Sequence, residues 1–321
     1  MTSKRWLAVL LLIVFGAVRM PFEQRIEAGL KAAHFREGVT VPDDSMREQL
    51  GQLGAAAALG GFRSFLATMF ELQATTAYAN KDYEKVSKHY LLATQLHPRE
   101  AGYWEMAGWM MGFNAVAYYL GEETEGKYST AMRVNLARKS VDEALRFLEN
   151  GLRYVPNDYG INRNLGNLLV RKKGDFCGAA EAFGRAADSM DGPSLAQRHH
   201  VYNLAYCPGQ EEEAYSKLKA LGKFFKGGPN PLPDERIPPA FLFHIRYFEK
   251  LFDIPAEDRF KSLLDLGALY EKLRRNFEVG QQYEKRHVLN MQRLEDVLDI
   301  PKSNRIPFGK KSLRPLQGGA N

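Results

Sequence analysis

Small and bulky residues alternate along this chain at a fixed spacing. Val86, Tyr90, Ala93 and Pro98 set the pattern: small, bulky four later, small three later, then a break at five. Ala144, Leu148, Gly151 and Pro156 repeat it, as do Ala179, Phe183, Ala186 and Asp191. Ala144 and Ala179 lie 35 residues apart, and Ala214, with Leu218 and Leu221 after it, lies another 35 on. Steps of four and three place such residues on one helical face. The small residues let a neighbouring helix approach closely, and the bulky residue fills the groove between the two. A period of this length holds two helices, so the pattern predicts an all-α array of stacked hairpins.

The other half of each unit carries a motif. Trp104, Ala107 and Gly108 stand where the tetratricopeptide pattern has W-x-x-L-G, and Leu165, Gly166 and Leu169 repeat its L-G-x-x-Y portion. Gly174, Asp175 and Phe176 match the G-D-Y turn between paired helices, as Lys81, Asp82 and Tyr83 do in the first unit. Leu204 and Ala205 open a shortened fourth unit, and Leu266, Gly267 and Tyr270 a degenerate fifth. Over residues 64–290 the chain therefore resembles the tetratricopeptide repeat family, whose period is about 34 residues. The resemblance implies a TPR-like helical-hairpin solenoid, with repeats 1–4 over 64–226 and a degenerate C-terminal repeat over 227–299.

It departs from the family twice. About twenty-four extra residues separate Trp104 from Ala144, and a Pro-rich stretch with an extra helical segment interrupts 227–258. Both insertions are expected at the edges of the stack, since repeats bury their core only against neighbours. On that reading Ala137 tolerates enlargement far better than Ala179.

Lys4 and Arg5 precede thirteen apolar residues, Trp6 to Val18, closed by Arg19 and Pro21. This is the n-region and h-region of an export signal, but Gly16-Ala17-Val18-Arg19-Met20 makes a poor cleavage site. Thirteen helical residues reach only about 20 Å against a hydrocarbon core of roughly 30 Å. Snorkelling by Lys4, Arg5 and Arg19 extends that reach. The expectation is an uncleaved transmembrane signal-anchor over 1–20, with the repeat body extracytoplasmic because Lys4 and Arg5 hold the N-terminus inside. Residues 21–63 form a juxtamembrane helical segment, with Phe22, Ile26, Gly29, Leu30 and Ala33 at helical spacing. Leu59-Gly60-Gly61-Phe62-Arg63 and Trp109-Met110-Met111-Gly112-Phe113-Asn114 are similar to stretches of uncharacterised bacterial membrane-anchored tetratricopeptide proteins, a likeness that brings no activity.

Composition adds limits. With 45% hydrophobic and 12% aromatic residues the chain can build a large core, and a net charge of +6 is modest for 321 residues. Lys302, Arg305, Lys310, Lys311 and Arg314 concentrate in a tail, 300–321, that has no helical period and reads as disordered and basic. No nucleic-acid motif accompanies that charge. H-E-x-x-H, C-x-x-C and G-x-S-x-G are absent, and adjacent His199 and His200 point about 100° apart on a helix. The reading is a non-enzyme with no cofactor and no metal.

In the tetratricopeptide family the first helix of each repeat lines a concave groove that holds the partner. Counting from the motif, that face carries Glu71, Thr75 and Tyr78 in repeat one, and Glu105 and Trp109 in repeat two. Repeat three adds Arg163, Asn167 and Arg171; repeat four adds His199, Tyr202, Asn203 and Tyr206. Trp109 and the tyrosines are either ligand platform or interior packing. Arg163, Asn167 and Asn203 occupy positions similar to the family's carboxylate clamp; Lys261 matches a further position, but Asp265 stands where the family has a second cation. The set is either a clamp or an ordinary polar groove wall.

Cys177 opens the second helix of repeat three and Cys207 closes the first helix of repeat four, so antiparallel packing brings both to one edge. They are either a disulfide pair or two free thiols. The functional expectation is a membrane-anchored scaffold for a partner protein or peptide in a bacterial envelope assembly; the alternative is an extracytoplasmic receptor for a non-protein ligand such as a glycan.

Overall fold

A computed structural model describes residues 62–189, 195–228, 231–233, 236–277, 281–309 and 313–317. The expected anchor, Trp6 to Val18, and the juxtamembrane segment as far as Gly61 lie outside these residues. Among the described residues no helix is long and apolar enough to cross a membrane, and no strand is present.

The chain folds as successive helical hairpins. Helix α1 (Phe62–Ala79) pairs with α2 (Tyr83–Leu96) through a three-residue turn. Lys81 takes a left-handed φ of 58° there, and Asp82 caps α2 by accepting from the Lys85 amide. The third hairpin uses the same device: Gly174 has φ 66° and Asp175 caps the next helix through the Gly178 amide. The lysine therefore adopts a conformation that glycine takes without strain.

In the second hairpin α3 (Ala101–Trp109) continues through a π-helical stretch, Met110–Ala115, into α4 (Val116–Leu120). It packs on α5 (Thr130–Tyr154), a helix of 25 residues capped by Ser129. The extra residues of this unit thus lengthen both its helices and do not sit at an edge. Ala137, Val141, Ala144 and Leu148 keep the four-three-four spacing, so the core face simply extends. Ala137 is 0% exposed, which corrects the expectation that it lies in a tolerant insertion. Ala137→Leu is expected to cost about 1–3 kcal/mol, as Ala179→Leu does, because both overfill a closed interface. Ala131→Leu, on the exposed first turn of α5, should stay within about 0.5 kcal/mol. Urea midpoints of the three variants check this; equal midpoints for Ala137→Leu and Ala131→Leu would mean that the lengthened helix is not packed.

Helix α6 (Tyr159–Leu168) likewise ends in a π-helical stretch, Leu169–Lys173, and pairs with α7 (Phe176–Asp188). Helices α8 (Leu195–Leu204) and α9 (Glu211–Gly227) follow. The extra helix of the Pro-rich interruption is α10 (Pro239–Leu251), which joins α8 and α9 in one core around Leu218, Phe225, Phe241 and Phe248. Helices α11 (Leu266–Arg274) and α12 (Lys285–Val297) close the array.

The tail corrects another expectation. Several of its described residues pack rather than trail into solvent: Leu316 lies against the main core, and Gln317 is 8% exposed. The last carbonyls of a helix lack intrahelical partners, as do the first amides of another. The Gln317 side chain meets both needs, donating to the Val170 and Arg171 carbonyls at 3.0 and 2.7 Å and accepting from the Lys285 amide at 2.7 Å. Ile306 and Phe308 pack beside Tyr270 and Leu294 in a separate small cluster.

Candidate functional site

The expected groove face divides into an open half and a covered half. In the open half, Glu105 on α3 accepts from Arg163 on α6 at 3.1 Å and from Asn164 at 3.2 Å. This works because Gly160 faces Glu105: a Cβ there would lie 2.2 Å from its Oε2. Arg163 also lies 5.4 Å over the Tyr159 ring. One turn along α3, Trp109 is 42% exposed and stacks on Phe113 at 4.6 Å, with Met106 beside it at 38% exposure. Asn167 is half-buried on α6. On α1, Thr75 bonds back to the Glu71 carbonyl, and Tyr78 packs edge-on against Tyr83, inside its own hairpin.

The covered half is the one the sequence pattern leaves open. Arg171 is bound to Glu284, just ahead of α12, at 3.4 Å. Glu284 is nearly enclosed and also meets Arg314 at 3.2 Å and Arg286 at 3.6 Å, so three guanidiniums surround one carboxylate. Further along, Tyr206 donates to the Asn290 Oδ1 at 2.5 Å. Helix α12 therefore lies across the face where a groove ligand was expected in repeats three and four.

Between α8, α10 and α12 a cavity of 290 Å³ remains, lined by His199, Tyr202, Asn203, Tyr206, Ala240, His244, Arg286, His287 and Asn290. All four candidates from repeat four meet there. His244 is 1% exposed, stacked on Tyr202 at 5.5 Å and met edge-on by Tyr206 at 5.2 Å. Arg293 lies 3.9 Å over the Tyr206 ring and reaches His244 Nδ1 at 2.7 Å. A guanidinium only donates, so Nδ1 accepts and the His244 proton sits on Nε2. The Tyr202 hydroxyl is buried and has no hydrogen-bond partner among the described residues.

Charge in this region is lopsided. Burial, then Arg286 and Arg198, lowers His199 to about 4. Burial and the same Arg286 lower His287, and burial with Arg293 holds His244 well below the usual histidine range. Burial, then the adjacent Arg171, lowers Lys172 to about 8. Each of these bases is neutralised more readily, first because burial disfavours its charged form and then because positive charge lies nearby. Among the described residues no group of His, Cys, Asp or Glu side chains is placed to hold a metal ion.

The carboxylate-clamp set does not assemble. Arg163 is held by Glu105, Asn203 donates to the His199 carbonyl and lies in the cavity, and Lys261 lines a different cavity with Tyr215, Lys219 and Phe260. Asp265 caps α11 through the Gly267 and Ala268 amides. The intervening helix α10 separates these positions, which is why motif counting fails past repeat four. Cys177 and Cys207 are joined as a disulfide, with Cα atoms 5.3 Å apart. His244, Arg286, Asn290 and Arg293 were not among the groove positions counted from the motif: His244 lies on the interrupting helix α10, and the other three on α12, the second helix of the degenerate unit. No protein-family profile matches the chain, and no curated protein is significantly similar to it.

Proposed function

We propose that the protein is a tetratricopeptide-type scaffold, anchored through Trp6 to Val18 with its repeat body outside the cytoplasm, that captures a partner protein or peptide in a bacterial envelope assembly. The capture face is the open half of the groove: Glu105, Met106, Trp109 and Arg163. The observation that carries this reading is the 42% exposed Trp109, seated on Phe113 beside the Glu105–Arg163 pair. Trp and Arg dominate binding hot spots because each offers large contact area with a directional polar group. The mixed Glu and Arg lining favours a peptide over a glycan, the alternative ligand for an aromatic face.

Crosslinking from native membranes, with the full chain as bait, tests this. The wild type should yield a defined adduct that Trp109→Ala and Arg163→Glu both abolish. Helicity should hardly change and the melting temperature should fall only slightly, because this half-buried ion pair still meets solvent and such pairs contribute about 1 kcal/mol or less. An adduct that survives both substitutions would refute the assigned face, and unfolding of Arg163→Glu would make Arg163 structural.

A further inference from the structure

We propose that the cavity between α8, α10 and α12 binds the oxyanion of a small molecule, a carboxylate or phosphate group. The site does not rest on the capture face, from which it is separate in sequence and in helices.

The chemistry of the lining selects the charge. Among the described residues no carboxylate lines the cavity, and several of the polar groups that do have a donor to spare. His244 presents Nε2–H, because its Nδ1 is taken by Arg293. Asn290 has its Oδ1 committed to Tyr206, which leaves its amide NH₂ to donate. Arg286 supplies a full positive charge. Its nearest acid, Glu284, is shared with Arg171 and Arg314 and leaves the region with excess cation.

A second observation points to a ligand independently. Tyr202 lines this cavity, and its hydroxyl is buried behind the ring edge of the lining without a partner among the described residues, one side-chain adjustment from the space. A buried polar group left unpaired is costly, and a native structure that keeps one usually has a use for it. An oxyanion accepting from Tyr202 would remove that cost. The stacked Tyr202 and His244 rings offer a flat wall for the apolar body of such a molecule. At 290 Å³ the space suits a small organic acid or phosphate and is too small for a folded peptide.

Calorimetric titration of the full chain at low ionic strength, with benzoate in one arm and inorganic phosphate in the other, tests the proposal. At least one arm should show saturable binding, and the stronger arm identifies the anion class. Tyr202→Phe should weaken that binding about ten- to hundredfold, the span expected for a hydrogen bond to a charged group. Its melting temperature should hold or rise, since the variant deletes an unpaired buried hydroxyl. Arg286→Gln should weaken binding by at least as much. Absence of binding in both arms would overturn the proposal. So would undiminished affinity in either variant, which would move the anion elsewhere, for example to the lysines around Lys261.

Discussion

Phe183→Ala is expected to cost about 3–5 kcal/mol, the largest loss from any single side chain considered in this protein. Phe183 is 0% exposed and packs with Val170, Phe176 and Ala179. Its ring fills the space left by Gly166, where a Cβ would come within 2.8 Å, and its face meets the His199 ring edge-on at 4.9 Å. One side chain thus joins α6, α7 and α8. Truncation leaves a cavity that three helices share, and none can close it alone. The melting transition should fall on the order of 10 °C. Because stacked hairpins contact chiefly their neighbours, the transition should also broaden as the two ends uncouple. Calorimetry reads both effects. A loss below about 1 kcal/mol, the size of an ordinary mutational effect, would show that α6, α7 and α8 are not joined there.

Removing the disulfide should have the next largest effect. Cys177 and Cys207 are separated by 30 residues, and a closed loop of that size restricts the unfolded chain by about 3–4 kcal/mol. Their Cα separation of 5.3 Å lies within the range that a disulfide spans. Cys177→Ser combined with Cys207→Ala should therefore lower stability by that amount, and reductant should do the same to the wild type but nothing to the variant. Such bonds persist in oxidising compartments. Mass spectrometry of protein alkylated in intact cells is expected to find the two cysteines bridged. Two alkylated thiols would remove this support for the proposed extracytoplasmic body and leave that proposal resting on Lys4 and Arg5.

The hairpins were legible in the sequence because their chemistry is local. A Cβ on Gly108 would lie 2.6 Å from Leu148, and one on Gly151 would lie 2.8 Å from Trp104. The small residues of the pattern are therefore required by the partner helix. The four-three spacing through Ala137 and Val141 also carried the lengthened α5, although the motif, which expects a fixed repeat length, hid it. The tail had no such signal. Gln317 reaches carbonyls 146 and 147 residues earlier, and a lone glutamine among glycines and prolines gives no sign of that pairing. The cavity was half legible: His199, Tyr202, Asn203 and Tyr206 share one segment, while α12 belongs to the degenerate last unit, whose few motif residues do not say which face its second helix covers.

Helix α12 and the tail cover the end of α6 and the face of α8 where a groove was expected. Hydrogen exchange of the intact protein, compared with Glu284→Ala, tests this arrangement most directly. The wild type should protect the amides of Lys285–Val297 about as well as those of α7. In Glu284→Ala, which releases three arginines from one carboxylate, exchange should rise together in α12 and around Val170–Lys173. Rapid exchange of α12 in the wild type, or a response confined to one of the two segments, would contradict it.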